Sequence, residues 1–294
     1  MFSHFTNYEG HANPLIAHRY PFIFSVIYSM KLKDKTLLWQ INRPDQSQYS
    51  YVFGTMHVRD NAAFQYVNFI QTKIQECAAF ATEYDLDKGQ QHIPQDMIYL
   101  PDGKNLPDFI PPKKYAKLRK SILKSFQIDL DYFKKLQPLF INNLIGEQLL
   151  SKDQDEALDS YLWNFAKAEN KILLGIETWQ EQLKTLEKLT LEYQIKGLIG
   201  IGKNTKKYRR ALQKSVRDYV SGDFQKLFQG AKKGAGDKRK VLLYSRNEIM
   251  ANRIADFTQE QTLFAAIGAG HLGGGKGVLR LLKKKGFILK PVKM

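Results

Sequence analysis

The sequence predicts an α/β fold: a central mixed β-sheet flanked by helices, with a mostly helical insertion between two halves. Three observations lead there. Each half carries an apolar run followed by Gly, two residues and His: YSYVFGTMH ends at His57, and TLFAAIGAGH ends at His271. Apolar runs of strand length alternate with segments of helical periodicity, the pattern of βα units. Between the halves, from about 107 to 257, helical patterns dominate.

The elements follow in order. LLWQI (37–41) and QYSYVFGT (48–55) read as strands joined by the turn-rich NRPDQSQ, a hairpin. Asp60 then caps a helix whose apolar positions Ala63, Val67, Ile70, Ile74 and Cys77 recur at helical spacing. AAFATEYD (78–85) is a third buried strand with Glu83 and Asp85 at its far end. Gly, Pro and Asp mark a loop through 101–112, and Pro112 suits the first turn of the helix KKYAKLRKSILKSF. DSYLWNFAKAEN (159–170) is an amphipathic helix, KILLGIET (171–178) a short strand, and WQEQLKTLEKL resumes the helical pattern. KVLLYSRNEIMANRIADF (240–257) has apolar positions three and four apart. TLFAAIGAGH is a strand, GGGKGVLRLLKKKG a glycine-rich loop opening a helix, and FILKPV (287–292) a last strand.

Composition bounds the chemistry. Hydrophobic content of 43% and charged content of 25% are ordinary for a soluble globular chain of 294 residues. The single cysteine, Cys77, excludes an internal disulfide and any CxxC metal or redox motif, and its apolar setting reads as core filler. Of the net charge of +16, residues 1–150 carry +3 and residues 151–294 carry +13. The excess lies in 203–217, 232–240 and KKK at 283–285. No zinc finger, RNP sequence or helix-turn-helix pattern accompanies it, which weighs against nucleic acid. Peripheral contact with an anionic surface remains the partner for this basic helical region. PFIFSVIYSM (21–30) is apolar but too short to span a bilayer, and no transmembrane segment is expected. Residues 1–30 read as an N-terminal extension and 31–294 as a single domain. A start at Met30 would favour the cytoplasm; residues 1–30 acting as a signal would mean export.

Both histidines should sit at the carboxyl ends of buried strands, where open α/β sheets place ligands. Glu83 joins them at that edge. Two imidazoles and a carboxylate form a ligand set for a hydrolytic divalent metal. The two histidines should then converge, with ring nitrogens roughly 3–4.5 Å apart about a shared ion. Without a metal, a His beside a carboxylate could activate water itself. The plain alternative is a pair of satisfied histidines that cap strands. Glu177 is either an acid that orients a His or a helix N-terminal carboxylate in front of WQEQL. Arg246 and Asn247 fall mid-helix, where a surface pair is the default. The glycine-rich GAGHLGGGKG (268–277) fits neither GxGxxG nor GxxxxGK[ST]; its glycines let a loop pass close to a bound group.

FGTMH (53–57), EYD (83–85), LLGIET (173–178) with Gln182, SRNEIM (245–250) and GAGHLGGGKGVLRLLKKKGF (268–287) occur in this order. Together they resemble the TraB/PrgY/GumN family, which includes the TIKI proteases, from about Leu37 to Val292. The resemblance implies a metal-dependent, peptidase-like hydrolase acting on a peptide or small molecule. Its cofactor would be a divalent metal ion, manganese or cobalt, with zinc a further candidate. His57, His271 and Glu83 would hold the ion, and Glu83 or a neighbouring carboxylate such as Glu177 would handle the proton. Arg246 and Asn247 would position substrate, with Arg246 turned inward toward an oxyanion or a substrate carboxylate. The family is similar in fold to erythromycin esterases and ChaN-like haem-binding proteins. Two alternatives therefore stand beside the metalloenzyme: a metal-independent esterase-like hydrolase using His57 with Glu83, and a non-catalytic module that sequesters a peptide or ligand.

Overall fold

In the computed structural model, which describes residues 34–89 and 94–294, one six-stranded mixed sheet organises the chain. Its strands are β1 Leu38–Asn42, β2 Ser50–Thr55, β3 Ala79–Tyr84, β4 Ile172–Glu177, β5 Leu263–Gly268 and β6 Ile288–Val292. Their spatial order is β4–β3–β5–β2–β1–β6. The expected hairpin is present: β1 pairs antiparallel with β2, and also with β6. The other neighbours run parallel, as strands joined through helices do.

Central β5, LFAAIG, has no polar side chain, because it is flanked on both edges and covered above and below. Phe264 stacks on Phe80 of β3 with ring centroids 5.9 Å apart, and Phe53 of β2 lies 6.2 Å from Phe264 on the other side. The parallel strands therefore end at one well-fixed carboxyl edge.

Ten helices of seven residues or more are described: α1 Val67–Gln75, α2 Pro112–Phe126, α3 Pro138–Leu149, α4 Leu158–Ala168, α5 Trp179–Glu187, α6 Leu191–Lys203, α7 Thr205–Val220, α8 Phe224–Ala235, α9 Ser245–Glu260 and α10 Val278–Lys284. Proline opens α2 and α3, where a missing N–H costs nothing. Leu118, Ile122 and Phe126 of α2 join Ile141 and Ile145 of α3 and Leu198 of α6 in an apolar cluster. The helical middle thus has its own core, yet it returns once to the sheet: β4 forms the edge strand beside β3. Lys35–Met294 forms one compact unit. The expected extension at 1–30 lies outside the described residues.

Two elements differ from expectation. Asp60 caps a short 3-10 turn, Asn61–Phe64, and α1 starts only at Val67, so Cys77 lies beyond the helix. Burial of Cys77 pushes its thiol up to about 12, as befits core filler. The helix expected from residue 240 opens as a π-helical segment, Lys240–Tyr244, before α9 begins. The wider turn resets the helical phase just ahead of Arg246 and Asn247. No helix among the described residues is long and apolar enough to cross a membrane.

Candidate active site

The two repeated motifs lie side by side. β2 and β5 pair in parallel with Thr55 opposite Gly268, so both chains leave the sheet at the same edge. Gly54 is required there. A Cβ on it would stand 2.6 Å from Leu272 Cδ1 and 3.0 Å from Ala269 Cα, so the first motif's glycine makes room for the second motif's turn.

Beyond β5 the chain turns at once into a 3-10 turn, Ala269–His271, which folds His271 inward to 10% side-chain exposure. Its Nδ1 lies 2.5 Å from Asn247 Oδ1, while Asn247 Nδ2 donates to the Lys276 carbonyl at 2.7 Å. The amide therefore accepts from the imidazole, which places the His271 proton on Nδ1. Nε2 is left unprotonated and stands 3.8 Å from Glu83 Oε1. That oxygen also accepts the Gly268 N–H at 2.8 Å, and Oε2 accepts from Arg246 Nη2 at 2.6 Å.

Arg246 bridges two carboxylates. Nε donates to both Glu177 oxygens at 3.0 Å, and Nη2 reaches Glu177 Oε2 at 2.5 Å as well as Glu83. Glu177, at 1% side-chain exposure, also accepts from Gln182 Nε2 at 3.3 Å. Burial acts most strongly on all these groups, but their neighbours send them different ways. Burial raises the Glu83 carboxyl, yet His271, Arg246 and the Gly268 N–H outweigh it and hold the group down to about 2. Burial keeps the Glu177 carboxyl above its ordinary value even with Arg246 attached. Burial also takes the His271 imidazole down to about 4, with Arg246 adding and Glu83 opposing, so at neutral pH it is uncharged.

His57 is held differently. Its chain runs on from β2, where the Val58 and Arg59 carbonyls accept N–H groups of Leu158 and Gln154 at 3.2 and 3.0 Å. This pins the segment to the start of α4. His57 Nδ1 consequently lies 3.4 Å from Asp159 Oδ2, and the Thr55 hydroxyl donates to Asp159 Oδ1. The imidazole is 73% exposed and lines a cleft of about 430 Å³ with Val58, Arg59, Glu147 and Ser160. The facing Asp159 carboxylate raises its pKa, against the effect of burial.

Residues 246, 247, 271, 83 and 177 thus come together, with His57 outside that cluster. Among the described residues no three His, Cys, Asp or Glu side chains form a metal-holding group; His271 lies against Glu83, and His57 faces Asp159. Parallel register aligned the strands, but the tether to α4 draws the first imidazole toward Asp159. Glu177 anchors Arg246 instead of orienting a histidine or facing the α5 N-terminus, where Thr178 is the cap. Arg246 and Asn247 are turned inward, Asn247 completely buried. Sequence reasoning missed Asp159, which looks like any first-turn helix acid.

The donor types suit a divalent transition metal. Two imidazoles each have Nδ1 facing a side-chain oxygen, the arrangement that readies Nε2 for a metal, and Glu83 is a carboxylate whose neighbours hold its pKa below the ordinary value. A family model described as TraB/PrgY/gumN matches residues 37–291. The chain belongs to the TraB/PrgY/gumN family. Among curated relatives, it is 24% identical over 309 residues to the metalloprotease TIKI1 of Danio rerio, covering 86% of this chain and 62% of that protein. It is 23% identical over 324 residues to the metalloprotease TIKI2 of Danio rerio, with 86% and 60% covered. A metalloprotease TIKI homolog of Nematostella vectensis is 21% identical over 328 residues, with 88% and 67% covered. The match thus spans about 60% of the two Danio relatives' lengths. No solved structure matches the chain.

Proposed function

We propose that the chain is a metal-dependent hydrolase of peptide bonds, with His271 and His57 supplying imidazole donors and Glu83 the carboxylate. The observation that carries this reading is the contact of a neutral His271 Nε2 with ionised Glu83 at the sheet's carboxyl edge. Relatives named metalloproteases support the same class. A divalent ion bound there would polarise the scissile carbonyl and acidify the attacking water.

The protein's own groups have separate duties. Asn247 holds the His271 ring and its tautomer. Arg246, fixed by Glu177, neutralises Glu83; its Nη1 takes no part in those bonds and is the N–H that would meet a developing oxyanion. Glu177, buried and accepting from Arg246 through both oxygens, holds the guanidinium in place. His57, at the same sheet edge and facing Asp159, would supply the remaining imidazole donor.

Elemental analysis of the purified chain, with and without added Mn²⁺, Co²⁺ or Zn²⁺, tests this alongside cleavage of a peptide library. Cleavage should stop with chelator, and His271→Ala and His57→Ala should each lower bound metal and activity. If both variants keep full metal content and activity, the reading is wrong. A second reading is favoured by the His57–Asp159 pairing: His57 as a metal-independent general base, with Asp159 as its partner in place of Glu83. It requires cleavage that survives chelator but not His57→Ala.

A further inference from the structure

We propose that Asp159 is the positioning residue of His57: its carboxylate fixes the imidazole with the proton on Nδ1 and so presents Nε2 unprotonated to the cleft. Asp159 occupies the first turn of α4 and is 16% exposed. One oxygen is taken by the Thr55 hydroxyl at the end of β2. The other, Oδ2, is buried and makes no hydrogen bond among the described residues. A buried carboxylate oxygen without a donor is costly, and His57 Nδ1 faces it at 3.4 Å. That separation is long for a hydrogen bond, but the imidazole is largely exposed and can close by a few tenths of an ångström. An Nδ1–H would satisfy Oδ2; an Nε2–H tautomer would leave a lone pair facing a carboxylate.

The second motif has the same solution. His271 Nδ1 meets Asn247 Oδ1, and Asn247, like Asp159, lies on a helix packed on the sheet. Each strand–Gly-x-x-His thus faces a side-chain oxygen from a helix, a carboxylate in one case and an amide in the other. The amide merely sets the tautomer, whereas the carboxylate also makes the His57 ring the more basic donor. The tautomer assignment is independent of the hydrolase reading; only the metal measurement below rests on it.

The test is nitrogen-15 NMR of the imidazoles in the metal-free full chain at pH 8, with His57→Gln and His271→Gln to assign the signals. Wild-type His57 is expected to carry its proton on Nδ1. Asp159→Ala should move it to Nε2, leave His271 unchanged, and weaken Mn²⁺ binding in calorimetry about ten- to a hundredfold. Asp159→Asn, which keeps an oxygen acceptor, should retain the Nδ1–H form. Should alanine alone unfold the chain, Thr55→Val with Asp159→Leu leaves no buried polar group unpaired and reads the same shift. A wild-type proton on Nε2, or a tautomer unmoved by loss of the carboxylate, overturns the assignment. If none of Mn²⁺, Co²⁺ and Zn²⁺ binds, the metalloenzyme reading fails while the NMR result still decides the role of Asp159.

Discussion

Arg246 links two carboxylates, Glu83 and Glu177, and Arg246→Met isolates that link. Methionine keeps an aliphatic stem and removes the guanidinium whose four hydrogen bonds join Glu83 and Glu177. Glu177 is 1% exposed and cannot hydrate, whereas Glu83 at 24% partly can. Breaking a buried pair by removing one partner costs about 3–5 kcal/mol, and the access of Glu83 to water favours the lower end, about 3 kcal/mol at pH 7. With a urea slope of about 3 kcal/mol per molar for a chain of this size, the unfolding midpoint should fall by about 1 M. The sign of the pH response is fixed. Without Arg246 both carboxyls rise, Glu177 from an already raised position, so they take up protons as pH falls and the deficit shrinks between pH 7 and 5. Adding Glu177→Leu removes the carboxylate that cannot hydrate and should restore more than half of the loss. Urea melts of the metal-free protein at both pH values provide the measurement. A deficit below about 0.5 kcal/mol, or a double variant less stable than the single, would refute the view that Arg246 compensates two otherwise stranded charges.

Two further outcomes follow from the same geometry. His271 has its folded pKa lowered to about 4. Its contribution is therefore present above its unfolded value of about 6.5 and is lost as pH falls toward 4, amounting to about 1 kcal/mol between pH 7 and 5.5. His57, raised by Asp159, works in the opposite direction, so the comparison is between wild type and His271→Gln: an equal loss in both would show that His271 is not the group responsible. At Gly268, a Cβ would stand 2.9 Å from Glu83 Oε1 and 3.6 Å from His271 Cδ2. Gly268→Ala should displace the Glu83 carboxylate and reduce peptide cleavage and Mn²⁺ affinity about ten- to a hundredfold, with a melting temperature close to wild type; unaltered affinity would mean that Glu83 is not a ligand.

Much of this is legible in the chain itself. Period-two and period-3.6 patterning locates β1 to β6 and most helices, because burial on one face imposes those periods whatever the surroundings. The two strand–Gly-x-x-His segments mark where the chain leaves the sheet, since a buried strand that ends in a glycine turn delivers its next residues to that edge, whereas only the family resemblance drew SRNEIM to it. Pairing is not legible. Nothing local says that Glu177 and Glu83 share one guanidinium, that a π-helical turn faces Arg246 and Asn247 inward, or that backbone bonds from Val58 and Arg59 steer His57 to Asp159. Those outcomes depend on contacts between residues up to 163 positions apart, where each buried charge or lone pair takes the partner that packing brings within reach. Sequence by itself thus determined the strands, the edge and the chemical types gathered at it. Only the tertiary structure decided that the twin histidines take different partners, His271 buried against Glu83 and His57 exposed and facing Asp159.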